Sequence, residues 1–216
     1  MSVQKGVLRL FLVRHGETAE NVHMRYLGKR DEPLNETGMM QADKVAGALS
    51  QLPLSCVISS PLRRAADTAV RIREAAGLDL RKDDRLAEGS FGSWEGLTRD
   101  EVIGLGKRDA DMLSRWEEDP SLAPPGGESI EHIQRRVVSL AEELHREFRG
   151  SSVVLVSHVG PVKALLAAVL GIPLRASRHL FLDPGAISVA EWGDRPVLRL
   201  FNSHAHLGWT SARWMQ

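Results

Sequence analysis

Cysteine is almost absent from this chain. Cys56 stands alone in 216 residues, so no intrachain disulfide can form and nothing in the composition asks for an oxidising compartment. Net charge is absent too. The 28 basic and 28 acidic residues cancel to +0, and the isoelectric point is near 7.1. No field of one sign therefore argues for nucleic acid or an anionic membrane as the main partner. Long hydrophobic runs are missing as well. The first apolar run is interrupted by Arg9 and stops at Arg14, too short for a signal peptide with its cleavage site or for a membrane span. A cytoplasmic location is the expectation. No linker rich in proline, glycine or serine divides the chain and no repeat recurs along it, so residues 1–216 are expected to form a single domain that buries roughly 70% of its unfolded surface.

What is present begins at Val7–Asn21, V-L-R-L-F-L-V-R-H-G-E-T-A-E-N. An apolar run cut off by Arg14, His15 and Gly16 predicts a buried strand with a cation and an imidazole at its C-terminal lip, where ligands of open α/β sheets bind. A histidine with a free ring nitrogen can attack a phosphoryl group, and a neighbouring arginine offers a planar fork that matches phosphate oxygens. Gly16 lets the backbone approach an anion closely and turn its N–H inward. Thr18 and Asn21 add short polar side chains on the same loop.

The remaining chain alternates between the two periods. Asn35 caps a helix whose apolar face carries Met39, Ala42, Val45, Ala46 and Leu49, and Pro53 ends it. Ser55–Ser59 reads as a strand that opens at once onto a helix, with Ser60 as cap, Pro61 at the first helical position and Gly77 as the stop. Arg63 and Arg64 fall in that first turn. Positive charge there opposes the helix dipole, which points to a compensating anion for one arginine while the other reaches into water. Glu88 is followed by Gly89 and Gly92, with Leu86, Phe91 and Trp94 near it in sequence, a setting in which a carboxyl group can act as a general acid.

Thr98 starts a short helix, and 110–118 reads as another. Ser129–Arg149, with Ile130, Ile133, Val137, Leu140, Leu144 and Phe148, is the clearest amphipathic helix. His132 and His145 lie off that stripe, facing solvent. Ser152–Ser157, V-V-L-V between serines, reads as a fully buried strand that stops at His158, and again glycine and a helix follow. Ala186–Trp192 and Val197–Asn202 read as two last strands. The alternation predicts an α/β fold with a mostly parallel central sheet and helices on both faces, in three layers. His204 and His206 share one face of an extended segment, as a pair of metal ligands would. No cysteine or carboxylate lies close in sequence, so a metal site is not expected.

Taken together, these segments resemble the histidine phosphatase superfamily, the phosphoglycerate mutase-like proteins, over nearly the whole chain. R-H-G-E-T-A-E-N at Arg14–Asn21 resembles the family signature, and L-G-K-R-D-E-P-L-N-E-T-G-M-M-Q-A from Leu27 the stretch that follows it. S-P-L-R-R-A-A-D-T-A resembles the segment of the second phosphate-binding arginine, aligned with Arg64. L-A-E-G-S-F-G-S-W-E-G matches the region of the acid residue, at Glu88, and P-G-G-E-S and V-S-H-V-G match the later motifs, with the second histidine at His158.

The resemblance implies a phosphoglycerate mutase-like architecture and a mechanism in which His15 becomes phosphorylated. Arg14, Arg64, Asn21 and His158 would hold the phosphoryl oxygens, His158 as an imidazolium if it binds in that form. Thr18, Leu27, Gly28 and Val159 would complete the substrate site, and Glu88 would serve as acid and then base. It implies no metal and no cofactor, and a small phosphomonoester as partner. The short G-S-F-G-S-W-E-G after Glu88 resembles the phosphatases, whereas the mutases carry a longer insertion there. Mutase-type phosphoryl transfer and a non-catalytic phosphate-binding scaffold remain the alternatives, although scaffold relatives usually lose a core histidine or arginine and this chain keeps each. His23, Arg25, Tyr26 and Phe91 are expected to rim the mouth, with His206 and Trp209 as further candidates; Arg25 and His206 could meet a carboxylate or second phosphate. Phosphoserine, phosphoglycerates, sugar phosphates, nucleotides and α-ribazole phosphate all stay open as substrates. Exposed strand edges and the tryptophan-bearing tail leave room for a homodimer.

Overall fold

The computed structural model describes residues 6–208. Six strands form one sheet: β1 (Leu8–Arg14), β2 (Cys56–Ser59), β3 (Leu80–Lys82), β4 (Ser152–Ser157), β5 (Ile187–Trp192) and β6 (Val197–Ser203), in the spatial order β3-β2-β4-β1-β5-β6. The first four in that order run parallel, and β5 and β6 are antiparallel additions on the far side of β1. This is the expected mostly parallel sheet. It contains one strand more than the sequence pattern indicates, because Leu80–Lys82 is short, carries Arg81 and Lys82, and lies at the edge, where charge is tolerated and no apolar run is needed.

Alternation along the buried strands sorts their side chains between two layers. Leu8, Leu10 and Leu12 of β1, with Val153 and Leu155 of β4, pack beneath two helices, α6 (Ile130–Glu147) and α7 (Val159–Leu170). Val13, Val154 and Val156 point the other way, toward α2 (Glu36–Leu49) and α3 (Arg63–Ala76). Each central strand is therefore apolar on both faces, which is why β1 and β4 read as continuous hydrophobic runs. A third cluster, Trp94, Val102 and Leu113, sits outside the sheet layers and joins the Gly92–Trp94 turn to α4 (Arg99–Gly104) and α5 (Lys107–Glu118). Among the described residues no helix is long and apolar enough to cross a membrane.

Element ends depart from the expectations in instructive ways. α2 stops at Leu49, before Pro53. α3 begins at Arg63 with Leu62 as its cap position, two residues after Pro61. Ser60 does not cap it in the usual manner, because its hydroxyl accepts from the Leu62 amide at 3.2 Å and also faces a ring nitrogen of His158 at 2.8 Å. α5 reaches back to Lys107, beyond the apolar periodicity that begins at 110. His145 is not solvent-facing: its Nε2 lies 2.7 Å from the Gly6 carbonyl, which tethers the start of β1 to α6.

The loop after β1 is pinned to α2 by backbone. Asn35 caps α2 by accepting from the Gly38 amide at 2.7 Å, and its side-chain amide donates to Glu17 Oε1 at 2.9 Å. Gly16 and Gly38 then meet so closely that a Cβ on Gly16 would stand 2.3 Å from the Gly38 carbonyl oxygen, and one on Gly38 would stand 2.1 Å from that of Glu17. The close backbone approach seen at Gly16 is to α2. Its amide is likewise directed at the Thr68 hydroxyl, 3.2 Å away on α3. Replacing glycine by alanine inside a helix ordinarily stabilises by about 1 kcal/mol. Gly38→Ala is expected to do the opposite and cost about 1–3 kcal/mol through overpacking against backbone, read as a lower urea midpoint with an unchanged slope.

Candidate active site

Strand register brings the two histidines together. In the parallel pair β1 and β4, Arg14 is level with Ser157, so the next residues, His15 and His158, leave neighbouring strands at the same height. Their ring centroids are 5.0 Å apart and their planes inclined by 57°. β2 lies on the other side of β4, with Ser59 level with Val156, and delivers Ser60 and then Arg64 to the same lip. Arg63 and Arg64 separate as the helical period requires: Arg64 is 1% exposed, whereas Arg63 lies at the surface, 3.6 Å from Asp67.

Hydrogen bonds fix the state of each ring. His15 Nδ1 lies 2.7 Å from the carbonyl oxygen of Gly16. A carbonyl can only accept, so Nδ1 carries the proton and Nε2 keeps its lone pair. Arg64 Nε donates to His158 Nδ1 at 3.2 Å, while His158 Nε2 faces the Ser60 hydroxyl at 2.8 Å. An imidazolium has no acceptor to offer Arg64, so His158 is neutral here, with its proton on Nε2. Without a bound anion, burial lowers its pKa well below the ordinary 6.5, and Arg64, His15, Arg14 and Arg136 add to the effect. His15 is lowered well below the same value, first by burial and then by Arg64 and Arg14.

Arg64 also donates to the carbonyl oxygens of Arg30 at 2.7 Å and Gly28 at 2.8 Å. Gly28 sits at φ +57°, a left-handed turn that aims this carbonyl inward and that a side chain would disfavour. With three of its five N–H groups used in this way, Arg64 retains two for a ligand. Arg14 is anchored through Nη1 to the Leu182 carbonyl at 2.5 Å.

Arg14, His15, Asn21, Leu27, Gly28, Arg64, Glu88 and Val159 all line one cavity of about 280 Å³. Thr18 and His158 stand behind its wall. The Thr18 hydroxyl accepts from the Asn21 amide at 3.2 Å, and the Asn21 side chain accepts from the Thr18 amide at 3.1 Å, a reciprocal cap on the short helix α1 (Ala19–Val22) that holds Asn21 in place. Glu88 is 9% exposed and accepts from the Gly89 amide at 3.0 Å and the Gly160 amide at 3.4 Å. It stands where this cavity meets a second one, of about 150 Å³, lined by Lys163, Ser177, Arg178, Trp116 and Ile133 among others.

Of the expected rim, Tyr26 and Phe91 stack at 4.8 Å between centroids and line the larger cavity. Arg25 lines it as well, but its guanidinium is held by Glu101 at 2.5 and 3.0 Å. His23 is exposed and off the wall. His206 is turned to the Gly185 carbonyl, 2.8 Å away. His204 Nε2 meets a buried carboxylate that is remote in sequence, Asp183 Oδ2, at 2.7 Å. Among the described residues no three metal-binding side chains gather into a site. Trp209 lies outside the described residues. Sequence reasoning missed Lys163; its signal was a single cation in the otherwise apolar V-K-A-L-L-A-A-V-L of α7.

Two imidazoles held neutral by the fold take up protons on unfolding, so the unfolded chain binds more protons below its ordinary pKa. Stability is therefore complete above about pH 6.5 and falls as pH drops through that value, by up to about 1.4 kcal/mol per pH unit for each ring. Urea midpoints measured from pH 7 to pH 5 should fall more shallowly for His158→Gln than for the unaltered chain. Equal slopes would contradict the assignment.

Comparison with known proteins bears on the same residues. The model of the histidine phosphatase superfamily (branch 1) matches residues 10–204. A bifunctional protein of Mycobacterium tuberculosis is 41% identical over 202 residues, covering 92% of this chain and 55% of its own length. The chain thus spans about half the length of that relative. Phosphoserine phosphatase 1 of Hydrogenobacter thermophilus is 36% identical, with 94% of this chain and 95% of that protein covered. Among solved structures, mycobacterial glucosyl-3-phosphoglycerate phosphatase superposes with a TM-score of 0.82 at 34% identity, over 91% of this chain and 99% of that one. With the family match spanning the sheet and both strand-end histidines, this chain belongs to the histidine phosphatase superfamily.

Proposed function

We propose that the protein is a metal-independent phosphomonoesterase that works through a phosphohistidine on His15. The observation that carries this reading is the lone pair on His15 Nε2, in a buried ring that shares one cavity wall with Arg14 and Arg64 and is directed by the Gly16 carbonyl. In the first half-reaction Nε2 attacks phosphorus, the N–P bond forms, and the P–O bond to the alcohol breaks. Arg14, the two remaining Arg64 N–H groups and Asn21 bind the phosphoryl oxygens; charge-assisted bonds of this kind are worth about 1.5–3 kcal/mol each. Thr18 acts through Asn21, and His158, by receiving Arg64 Nε–H, aims the guanidinium.

Glu88, in its protonated form, gives its proton to the leaving alkoxide. As a carboxylate it then takes a proton from water that attacks the phosphohistidine, and inorganic phosphate is released. The short segment after Glu88 and the phosphatase names of the relatives favour hydrolysis over transfer to a second acceptor. A cytoplasmic setting belongs to the same reading, supported by the single cysteine, Cys56, buried in β2 with burial pushing its thiol up to about 11.

His15→Ala should show no turnover and no acid-labile phosphoprotein after incubation with a labelled substrate; a normal phosphoenzyme from that variant would refute the assignment. Glu88→Gln should slow hydrolysis of alkyl phosphates by about 10²–10⁴-fold yet affect formation of the phosphoenzyme from p-nitrophenyl phosphate far less, since nitrophenolate leaves without a proton. Stopped-flow release of nitrophenol separates the two steps, and equal losses on both substrates would remove Glu88 from the role of acid.

A further inference from the structure

The stretch N-S-H-A-H, Asn202–His206, takes no part in the proposed chemistry. Its two histidines turn to different atoms of one turn, at 182–186. There the Asp183 carbonyl accepts from the Ala186 amide at 3.2 Å, with Pro184 second and Gly185, at φ +69°, third, the order that a tight turn favours. The turn is stitched to the end of β1. The Gly185 amide is shared by the carbonyls of Arg14 and His15, 3.1 Å from each, and the Arg14 amide donates to the Ala186 carbonyl at 3.2 Å.

One peptide group joins the two sides. Its carbonyl, that of Leu182, accepts from Arg14 Nη1 at 2.5 Å, and its N–H, that of Asp183, donates to Asn202 Oδ1 at 2.8 Å. A peptide is planar and, when trans as here, carries these two groups in opposite directions, so holding the N–H sets the direction of the carbonyl. Asn202 Nδ2 donates to Asp183 Oδ2 at 2.9 Å, and His204 Nε2 lies 2.7 Å from the same oxygen. His206 Nε2 lies 2.8 Å from the Gly185 carbonyl.

This arrangement is costly. Asp183 and His204 are 1% and 2% exposed, and a carboxylate is taken out of water only at a penalty. Asn202 stands at φ +47°, a left-handed conformation that side chains disfavour, held there by its amide bond to Ser188 Oγ at 3.0 Å and by the shifted register between β5 and β6. Strained backbone persists where its surroundings over-determine it, and such places gather at functional sites.

Resting on the phosphomonoesterase reading, we infer that Asn202, Asp183, His204 and His206 are positioning residues, a clamp that fixes the Leu182 carbonyl and through it aims the Arg14 guanidinium at the phosphoryl group. Arginine binds phosphate oxygens through a planar fork on a long, flexible stem. One N–H of that fork on a fixed carbonyl sets where the others point.

The test is a double-mutant cycle in the full chain. Asn202→Gly suits the left-handed backbone and removes both side-chain contacts. It should lower kcat/KM for p-nitrophenyl phosphate roughly 10- to 100-fold, and raise the calorimetric Kd for inorganic phosphate about 10-fold. In a chain already carrying Arg14→Gln it should change neither value further. A merely structural role would reduce the number of phosphate sites titrated and leave Kd alone. That result, unchanged values in a folded Asn202→Gly chain, or an equal loss in the Arg14→Gln background would each overturn the inference. Should Asn202→Gly show no cooperative urea transition, His206→Ala decides by the same criteria, with an expected loss of about 2- to 10-fold. Failure of the phosphatase reading would show differently: the unaltered chain would not turn over p-nitrophenyl phosphate, while the phosphate Kd still followed the cycle.

Discussion

Positive charge kept inside the protein by dipoles is the constraint on which the rest depends. Arg64 is nearly inaccessible, and its three contacts are two backbone carbonyls and an imidazole nitrogen. None of these is a carboxylate, so the hollow at the sheet edge stays cationic. Burial, with that field added to it, holds both imidazoles neutral, and neutrality gives one of them an attacking lone pair and the other an acceptor for Arg64. The turn at Gly28 and the carbonyls of Arg30 and Leu182 feed neutral oxygen atoms to these guanidiniums.

Much of this was legible in the sequence, for reasons of periodicity. Strands buried on both faces must read as unbroken apolar runs, so β1 and β4 declared themselves and so did the residues at which they stop. The separation of Arg64 from Arg63 followed from a turn of about 100° between successive helical residues. Family likeness then named the partners that no spacing could supply. The parts that stayed hidden are those set by contacts distant in sequence. Gly16 meets Gly38 and Thr68, His145 meets Gly6, and His204 meets Asp183, each across a gap no local pattern spans. Edge strand β3 was invisible because it carries no apolar run. The contact of Arg64 Nε with His158 Nδ1 is hidden for a similar reason, since only coordinates show it.

Glu88 links the two cavities as well as the two half-reactions. Its backbone donors come from its own loop, at Gly89, and from the start of α7, at Gly160, where a Cβ would stand 2.4 Å from the carboxylate oxygen. A carboxyl group seated against a helix N-terminus is fixed in direction, and its position follows any movement of α7. The aromatic cluster of Tyr26, Phe91, Trp94 and Trp116 closes the same region from the α5 side, with edge contacts near 6 Å that tie the loop after Glu88 to Trp116 of α5.

The common height at which β1 and β4 end has an evolutionary consequence. In a sheet, sliding one strand by a single residue sends each of its side chains to the opposite face, so the two rings cannot drift apart by degrees. Their meeting is an all-or-nothing property of the ladder, protected by every apolar residue beneath it. Descendants of this protein that acquire new substrates would therefore be expected to vary in the loops and the α7 face that border the rings, and to leave the rungs themselves untouched.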